Sequence, residues 1–323
     1  MHILFIGGTG QISLPCVAEA VARGYRVSVF NRGRSAEVLP AGVTEIHGDM
    51  AGADYAALGA GGYDVVCQFM VFTPEQMARD LAVFGGRVGR YVFISSASVY
   101  EKPARGYVIT EATPAVNPYW LYSQNKIACE ALLRQSALPW TIVRPSHTVR
   151  NGLPTMMNDG DATAARMLAG KPVIVAGDGT TPWTLTRSVD LARPFVGLLD
   201  KAAALGEVFH ITGDKGFTWN EIYTAIGRGL GVAPQIVHVP TDTLIRYEPA
   251  WEGPLMGDKT WTALFDNSKV KRVAGPFTCA TDIDVVLEEP LSHVRRRQAA
   301  GLVPGSSDAL MDRIAAEQAA LGR

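Results

Sequence analysis

The sequence has few cysteines, no excess of either charge and no long apolar run. Its four cysteines lie far apart among 323 residues without a Cys-x-x-Cys pair, which favours reduced thiols in a cytoplasm over a disulfide scaffold. The 30 basic and 31 acidic residues give a formal net charge of −1, which argues against a dedicated nucleic-acid-binding protein. The most apolar window, residues 65–72, contains Gln68 and is far shorter than the roughly 20 residues of a membrane span.

Motifs of several other protein classes are also missing. The sequence has neither an HExxH motif nor a Cys/His cluster, so we expect no metal site. It has no GxSxG segment typical of hydrolases, and no basic N-terminal region before an apolar stretch that would indicate a signal peptide. With 47% hydrophobic residues the chain can bury a sizeable core, and we expect a cytoplasmic globular enzyme.

Short apolar runs alternate with amphipathic stretches along the first half of the chain, which predicts βαβ units and a parallel sheet with helices on both faces. Predicted strands cover residues 2–6, 26–30, 44–47, 64–69, 90–95, 140–144 and 208–212. Residues 1–148 and 186–213 are expected to form a nucleotide-binding domain, and residues 149–185 and 214–323 a discontinuous substrate-binding lobe.

Local signals refine this outline. Residues 151–183 are rich in Gly, Pro, Thr and Asp and are predicted to be loop-like. Asn117 and Pro118 have the pattern of an N-cap followed by the first residue of a helix, and Thr218 and Glu221 have the spacing of a capping box.

A glycine-rich turn, GGTGQIS at residues 7–13, follows the first strand and opens a helix. Glycines at such a turn let the backbone approach a pyrophosphate, which the helix N-terminus binds through its free amides and its dipole. Ser13 stands in the place of the last glycine and is small enough for close helix packing. The turn predicts a dinucleotide site, and a tight turn without a ligand is the alternative.

The end of the second strand predicts which dinucleotide binds. An acidic residue there binds the ribose 2′-hydroxyl of NAD, whereas an arginine accommodates the 2′-phosphate of NADP. The sequence has Asn31, Arg32 and Arg34 there and no carboxylate, which favours NADP. NAD is the alternative, because Asn31 can bond a 2′-hydroxyl. Asp49 follows the third strand, where it can either meet the adenine amino group or form a plain turn.

Tyr122 and Lys126 are four residues apart in a predicted helix, so their side chains share a face. A free tyrosine has a pKa of about 10, too high for a general base at neutral pH. An ammonium within ~4 Å can lower that pKa by up to about 3. The pair follows a strand that ends in SSAS at residues 95–98, and such strand ends are where α/β sheets bind ligands.

In this order and at these spacings, the three features resemble the extended short-chain dehydrogenase/reductases, whose members include sugar-nucleotide epimerases and dehydratases. The resemblance is strongest over residues 1–150. It implies an α/β Rossmann fold with a doubly wound parallel sheet, a smaller C-terminal α/β lobe, and a homodimer that pairs two long helices per subunit. It assigns Tyr122 as the general acid/base, Lys126 as the residue that lowers the Tyr122 pKa and holds the nicotinamide ribose, and Ser96 as the partner of the reacting carbonyl or hydroxyl.

The resemblance also extends to the cofactor and substrate contacts. The expected cofactor contacts are Gly7, Gly10, Gln11, Ile12, Asn31, Arg32, Asp49, Phe69 and Lys126. Residues 144–147, RPSH, match the sixth-strand motif, so that His147 is either a substrate contact or a buried core histidine. Ser98 is either structural or a substrate contact.

Two departures from the family narrow the substrate. Dehydratases carry an Asp-Glu pair after the active-site hydroxyl residue, and because Ala97 and Ser98 stand there, we reject that reaction. Sugar-nucleotide members have an arginine for the substrate pyrophosphate where this chain has Trp183, with Arg187 nearby as a substitute. An indole stacks on a ring but cannot neutralise a diphosphate. A smaller sugar, a sugar acid or an aromatic glycoside is therefore an alternative substrate.

We expect an NAD(P)-dependent oxidoreductase or epimerase that moves a hydride to or from a secondary alcohol or ketone carbon of a sugar-like or sugar-nucleotide-like substrate. One alternative is an RNA-binding or regulatory protein on the same fold, since chloroplast stem-loop RNA-binding proteins also resemble this family and have a similar Arg-Gly after the second strand. Another is a non-catalytic NADP sensor. Both alternatives predict loss of Ser96, Tyr122 and Lys126, which are present.

Overall fold

The computed structural model describes residues 1–303 and 305–321. Its strands are β1 (His2–Ile6), β2 (Arg26–Asn31), β3 (Thr44–His47), β4 (Val65–Gln68), β5 (Arg90–Ile94), β6 (Val108–Ile109), β7 (Trp140–Pro145), β8 (His147–Val149), β9 (Val173–Ala176), β10 (Pro182–Arg187), β11 (Glu207–Ile211), β12 (Gly216–Thr218), β13 (Ile236–Val239) and β14 (Leu264–Phe265). Its α-helices are α1 (Ser13–Ala22), α2 (Ala53–Ala57), α3 (Pro74–Phe84), α4 (Leu121–Gln135), α5 (Gly160–Leu168), α6 (Ser188–Leu198), α7 (Trp219–Leu230), α8 (Thr241–Tyr247), α9 (Glu252–Pro254), α10 (Ser268–Ala274), α11 (Ile283–Ala299) and α12 (Ala309–Leu321). A π-helical turn, Leu255–Lys259, directly follows α9.

Seven of these strands form one parallel sheet. In the described ranges its order is β3-β2-β1-β4-β5-β7-β11, and every neighbouring pair is parallel. The strand order reverses between β1 and β4, and α/β sheets bind ligands beyond the carboxyl ends of the strands at such a point. The predicted doubly wound Rossmann arrangement is confirmed, and the seven predicted strands agree with the observed ones to within one residue at each end.

Helices cover both faces of this sheet because its strands are apolar on both sides. Successive side chains of β1 alternate between the faces. Ile3 and Phe5 pack with α1 and α6, whereas Leu4 and Ile6 pack with α3 and α4. The free cysteines Cys16, Cys67, Cys129 and Cys279 are all buried.

A second apolar core lies in the C-terminal part of the chain. It is built mainly from α5, α7, α11, α12 and strands β9 and β13, and the sheet β12-β10-β8 connects it to the larger sheet. The loop-like prediction for residues 151–183 is wrong, because Ala164, Met167 and Val175 pack in this core against α7, which lies far away in the sequence. In the described ranges no helix is both long and apolar enough to span a membrane.

The division of the chain into two domains stays a prediction. Residues 268–279 were assigned to the C-terminal lobe, yet Val270, Phe277 and Cys279 pack in the core of the seven-stranded sheet. Residues 304, 322 and 323, which belong to the predicted lobe, lie outside the described residues.

The two predicted helix starts have different outcomes. The capping box of Thr218 and Glu221 is confirmed at the start of α7. The predicted start at Asn117 is wrong, because α4 begins only at Leu121, after Trp120 in an extended conformation. The Asn117 amide instead donates to the carbonyl oxygens of Ser98 (2.7 Å) and Gly257 (2.6 Å), and its Oδ1 accepts from the backbone of Tyr119 and Trp120.

A buried ion pair joins α4 to the sheet. Glu130 of α4 accepts two hydrogen bonds from Arg144 of β7, at 2.8 and 2.6 Å, and both side chains are almost fully buried. Burial by itself raises the pKa of Glu130, but the bonds from Arg144 outweigh it and lower that pKa. On the solvent side Arg134 makes a third bond to Glu130 at 2.8 Å.

We expect Glu130→Gln to lower the free energy of unfolding by about 3–5 kcal/mol, because it leaves the Arg144 charge buried without its partner. Arg134→Gln is the matched control, since it removes the half-exposed partner of the same carboxylate and should cost less than about 1 kcal/mol. Urea denaturation of the two variants and the wild type measures the difference. Equal losses in both variants would contradict this account of the ion pair.

Candidate functional site

Two neighbouring cavities open at the carboxyl edge of the parallel sheet. The inner cavity, about 430 Å³, lies over the ends of β1, β5 and β7, and the outer cavity, about 460 Å³, lies over the ends of β1, β2 and β3. Four residues line both of them, namely Gly7, Gly10, Met70 and Phe72. The two cavities therefore form one continuous cleft across the point where the strand order reverses.

The glycine turn forms the floor between the cavities. Gly7 has a φ of +83°, and a Cβ added to it would lie 2.4 Å from Cγ of Met70, so only glycine fits there. A Cβ at Gly8 would lie 2.7 Å from both Val29 methyl groups, which explains the close packing of α1 on β2. Ser13 does more than fill a small space, since its hydroxyl donates to the Gly7 carbonyl (2.5 Å) and accepts from the Gly10 amide (2.9 Å). This close backbone approach fits a dinucleotide pyrophosphate.

The outer cavity is lined by cationic side chains at the end of β2. Arg32, Arg34 and Ser35 line it together with Asn31 and Asp49. The Asn31 side chain is engaged in the turn, because it donates to Glu45 (2.8 Å) and accepts from the Gly33 amide (2.6 Å). The Asp49 carboxylate accepts from the Ala51 amide at 2.8 Å.

Tyr122, Lys126 and Ser96 all line the inner cavity. The Lys126 ammonium is buried and donates to the carbonyl oxygens of Val71 (2.7 Å) and Ile94 (2.8 Å). It also lies 4.6 Å from the ring centroid of Phe72. The other predicted cofactor contacts Gln11, Ile12 and Phe69 line the same cavity.

The pKa of Tyr122 differs from the sequence-based expectation. Burial raises it, the Ser96 hydroxyl opposes this change, and Asp258 raises it further. The Lys126 ammonium lies 5.8 Å from the ring centroid of Tyr122 and donates to two carbonyl oxygens. Burial also lowers the pKa of Lys126, to about 7.

A row of hydroxyls fixes Ser96. Its Oγ lies 2.9 Å from that of Ser98 and accepts from the Ser98 amide at 3.1 Å, and Ser123 of α4 donates to the Ser98 hydroxyl at 2.7 Å. Ser98 is buried and also lines the cavity, so its position is compatible with both roles considered for it.

The predicted substrate contacts fall into two groups. His147 and Trp183 line the inner cavity, with their ring centroids 6.5 Å apart. Arg187 lies at the start of α6, where it faces Asp190 at 3.9 Å, and it is not among the residues that line either cavity. Arg144 of the RPSH motif is occupied by Glu130, whereas Pro145, Ser146 and His147 reach the cavity.

Sequence reasoning missed the charged residues at the far end of the inner cavity. Lys102, Asp258 and Lys259 line it, and so do Trp120 and Asn158. The π-helical turn brings Asp258 and Lys259 there by packing on Trp120: a Cβ at Gly257 would lie only 2.6 Å from Cβ of Trp120. No motif signals these residues, because Asp258 lies more than 130 residues beyond Tyr122 in the sequence.

Comparison with known proteins agrees with this geometry. A family model described as NAD(P)H-binding matches residues 7–170, about half of the chain. The chain belongs to this NAD(P)H-binding family. It is 27% identical over 283 residues to the 2′-dehydrokanamycin reductase of Streptomyces kanamyceticus, an alignment that covers 85% of this chain and 79% of that protein.

Two further similarities come from a plant and from a solved structure. The chain is 29% identical over 258 residues to the chloroplast stem-loop binding protein of 41 kDa b of Arabidopsis thaliana, covering 73% of this chain and 65% of that protein. The UDP-glucuronic acid 4-epimerase of Bacillus cereus, solved with UDP-glucuronic acid and NAD, superposes with a TM-score of 0.73 at 18% identity, over 92% of this chain and 99% of that one. The predicted membership of the extended short-chain dehydrogenase/reductases is confirmed.

His147 generates a prediction about stability. Burial, together with the charge of Lys259, lowers the pKa of His147 to about 3, whereas an unfolded histidine titrates near 6.5. A base whose pKa is lowered by folding stabilises the folded state most above the unfolded pKa, and this contribution falls as the pH decreases. Between pH 7 and pH 5 the His147→Gln variant should therefore lose about 2 kcal/mol less unfolding free energy than the wild type. Denaturant titrations at both pH values test this, and parallel losses would show that His147 titrates normally.

Proposed function

We propose that this protein is an NADP(H)-dependent oxidoreductase that interconverts a ketone and a secondary alcohol on a sugar-like ring. The observation that carries the proposal is the grouping of Tyr122, Ser96 and Lys126 in one cavity that continues into a second cavity lined by Arg32 and Arg34. The two arginines supply positive charge suited to the 2′-phosphate of NADP, and the side chain of Asn31 is already engaged by the turn.

The residues of the inner cavity divide the proton chemistry between them. When bound, NADPH supplies the hydride that the carbonyl carbon receives. Tyr122 donates its hydroxyl proton to the carbonyl oxygen, and Ser96 donates a hydrogen bond to the same oxygen as negative charge develops on it. Ser98 and Ser123 hold the Ser96 hydroxyl in place. Lys126 holds the ribose hydroxyls beside Tyr122, and Gly7 and Gly10 cradle the pyrophosphate. In the reverse direction Tyr122 accepts the proton from the alcohol.

The same residues support an epimerase if the ketone intermediate rotates in the cavity and is reduced from its other face before release. We favour net oxidation or reduction over epimerisation. The reductase from Streptomyces kanamyceticus is consistent with this choice. Trp183, beside His147, offers a ring-stacking surface for a sugar.

RNA binding is a second candidate because of the similarity to the chloroplast stem-loop binding protein. Two observations favour the oxidoreductase. The cleft retains the Tyr122 group, and the basic run at residues 295–297 is engaged within the chain: Arg297 pairs with Asp161 at 2.6 Å and Arg295 donates to the Gly229 carbonyl. Homodimer formation through α4 stays a prediction.

Removing the Tyr122 hydroxyl tests the acid/base assignment. A substrate is first identified by incubating keto sugars with NADPH, or sugar alcohols with NADP, and following the change in NADPH absorbance. We expect Tyr122→Phe to lower kcat for it by 10²–10⁴-fold, because proton transfer to the carbonyl is lost, with NADPH affinity changed by less than about threefold. Tyr119→Phe is the control, since Tyr119 precedes α4, three residues before Tyr122, and does not line the cavity. Full activity of Tyr122→Phe would rule out this mechanism.

The choice of NADP is tested by Arg32→Ser. Loss of a charge-assisted bond should raise the Kd for NADPH by about tenfold to hundredfold and leave the Kd for NADH unchanged within threefold. Arg105→Ser is a control, because the Arg105 side chain is 84% exposed, pairs with Glu101 and lines neither cavity. Fluorescence titration measures both cofactors. Tighter binding of NADH than NADPH by the wild type would instead support NAD and an epimerase.

A further inference from the structure

The inner cavity ends in a group of charged side chains that the proposed chemistry does not use. This group, which we call the Lys102 cluster, consists of Lys102, Asp258 and Lys259. Lys102 follows the loop after β5, and Asp258 and Lys259 lie in the π-helical turn Leu255–Lys259. Two segments that are far apart in the sequence thus place two ammonium groups and one carboxylate in the lining of the inner cavity.

Lys102 is the most unusual member. Its side chain lines the cavity although the residue is only 3% exposed. Among residues 1–303 and 305–321 its ammonium has no hydrogen-bond acceptor, and no carboxylate oxygen lies within 4.0 Å of it. Its backbone is held in place, because its amide donates to the Val116 carbonyl at 2.9 Å. The Lys102 side chain faces the cavity, where the charge of Asp258 attracts its ammonium, and a group that enters the cavity can accept a hydrogen bond from it.

Lys259 offers further donors on the same wall. The residue is 2% exposed, and its ammonium makes one hydrogen bond, at 2.6 Å, to Oδ1 of Asn158. An ammonium has three N–H groups, so two remain for another acceptor. Asn158 itself has a φ of +59°, a left-handed conformation that asparagine tolerates, and this places its amide oxygen toward Lys259. The Lys259 carbonyl accepts from Nε1 of Trp219 at 3.1 Å, which anchors the turn from the other side.

The charge balance of the whole cavity favours an anion. Its charged lining residues are Lys102, Lys126, Lys259 and Asp258. Lys126 is directed at the Val71 and Ile94 carbonyls, so Asp258 alone opposes the other two lysines inside the cavity. Asp159 also attracts Lys259, but it lines a different cavity, beside α5. His147 adds no positive charge at neutral pH. Trp183 also lines the cavity, and within residues 1–303 and 305–321 its buried Nε1 has no acceptor.

We propose that Lys102 and Lys259 form a subsite for an oxyanion, a carboxylate or a phosphate, that the substrate carries beside its reacting carbon, with Asp258 accepting a hydrogen bond from a neighbouring hydroxyl. The proposal rests on the proposed function, because it assumes that the substrate lies against Tyr122. It narrows the substrate class to acidic sugars or sugar phosphates of small size. A substrate with an ammonium group at this position is disfavoured, since two lysines would repel it.

Calorimetric titration of the NADP-loaded protein tests the subsite. The probes are D-glucuronate, D-glucose 6-phosphate, neutral D-glucose, cationic D-glucosamine and inorganic phosphate. We expect at least one of the three anions to bind tenfold or more tightly than glucose. Lys102→Met and Lys259→Met should each weaken that anion by about tenfold to hundredfold, because each removes a charge-assisted hydrogen bond, and should leave glucose unchanged. A preference for glucuronate identifies a carboxylate, and one for glucose 6-phosphate or inorganic phosphate identifies a phosphate.

The control variant is Lys201→Met, which removes a surface lysine, 46% exposed, that pairs with Asp200. It should not alter binding of any probe. The proposal is overturned if no anion binds more tightly than glucose, if glucosamine binds best, or if the anion preference survives in both cavity variants. NADPH titration of the same preparations separates the two hypotheses. A wild-type protein that does not bind NADPH contradicts the proposed function. An affinity for inorganic phosphate that is the same in the wild type and in both lysine variants contradicts the subsite.

Discussion

The ion pair between Glu130 and Arg144 orients the parts of the site relative to one another. Glu130 lies two helical turns beyond Tyr122 on α4, and Arg144 lies on β7, next to the residues that reach the inner cavity. Two nearly parallel hydrogen bonds fix both the distance and the rotation of the helix against the sheet. Arg144 also lies 4.7 Å from the ring centroid of Tyr100, whose hydroxyl is 3.0 Å from Nδ1 of His210 on β11. Buried polar contacts thus link α4, β7, the loop after β5 and β11.

A second set of contacts couples this frame to the C-terminal part of the chain. The Asn117 amide joins the loop after β5, through Ser98, to the π-helical turn, through Gly257. Trp120 packs against Gly257 of the same turn and against Gly253 of α9. The segment that precedes α4 therefore determines where the serines and the Lys102 cluster lie relative to Tyr122.

The different outcomes of the sequence predictions follow from the range of the interactions involved. The strands were predictable because burial on both faces requires continuous apolar runs such as those of β1 and β4, and the capping box of Thr218 and Glu221 acts within one helical turn. The start of α4 was mispredicted because Asn117 has the right local pattern but is bound by partners far away in the sequence. Residues 151–183 have a loop-like composition. Their few apolar residues form regular structure only because they pack with α7 in the second apolar core.

Local sequence determined the glycine turn, the alternation of strands and helices, and the spacing that brings Tyr122 and Lys126 to one helix face, because each of these depends on neighbouring residues or on simple periodicity. Tertiary structure decided which other groups share the cavity with Tyr122. In the folded chain Arg187 faces Asp190, and the Lys126 ammonium donates to two backbone carbonyls. Lys102 and Lys259 line the same cavity. The protonation of a buried side chain depends on every charge and dipole packed around it, and those come from segments that only the folded chain brings together.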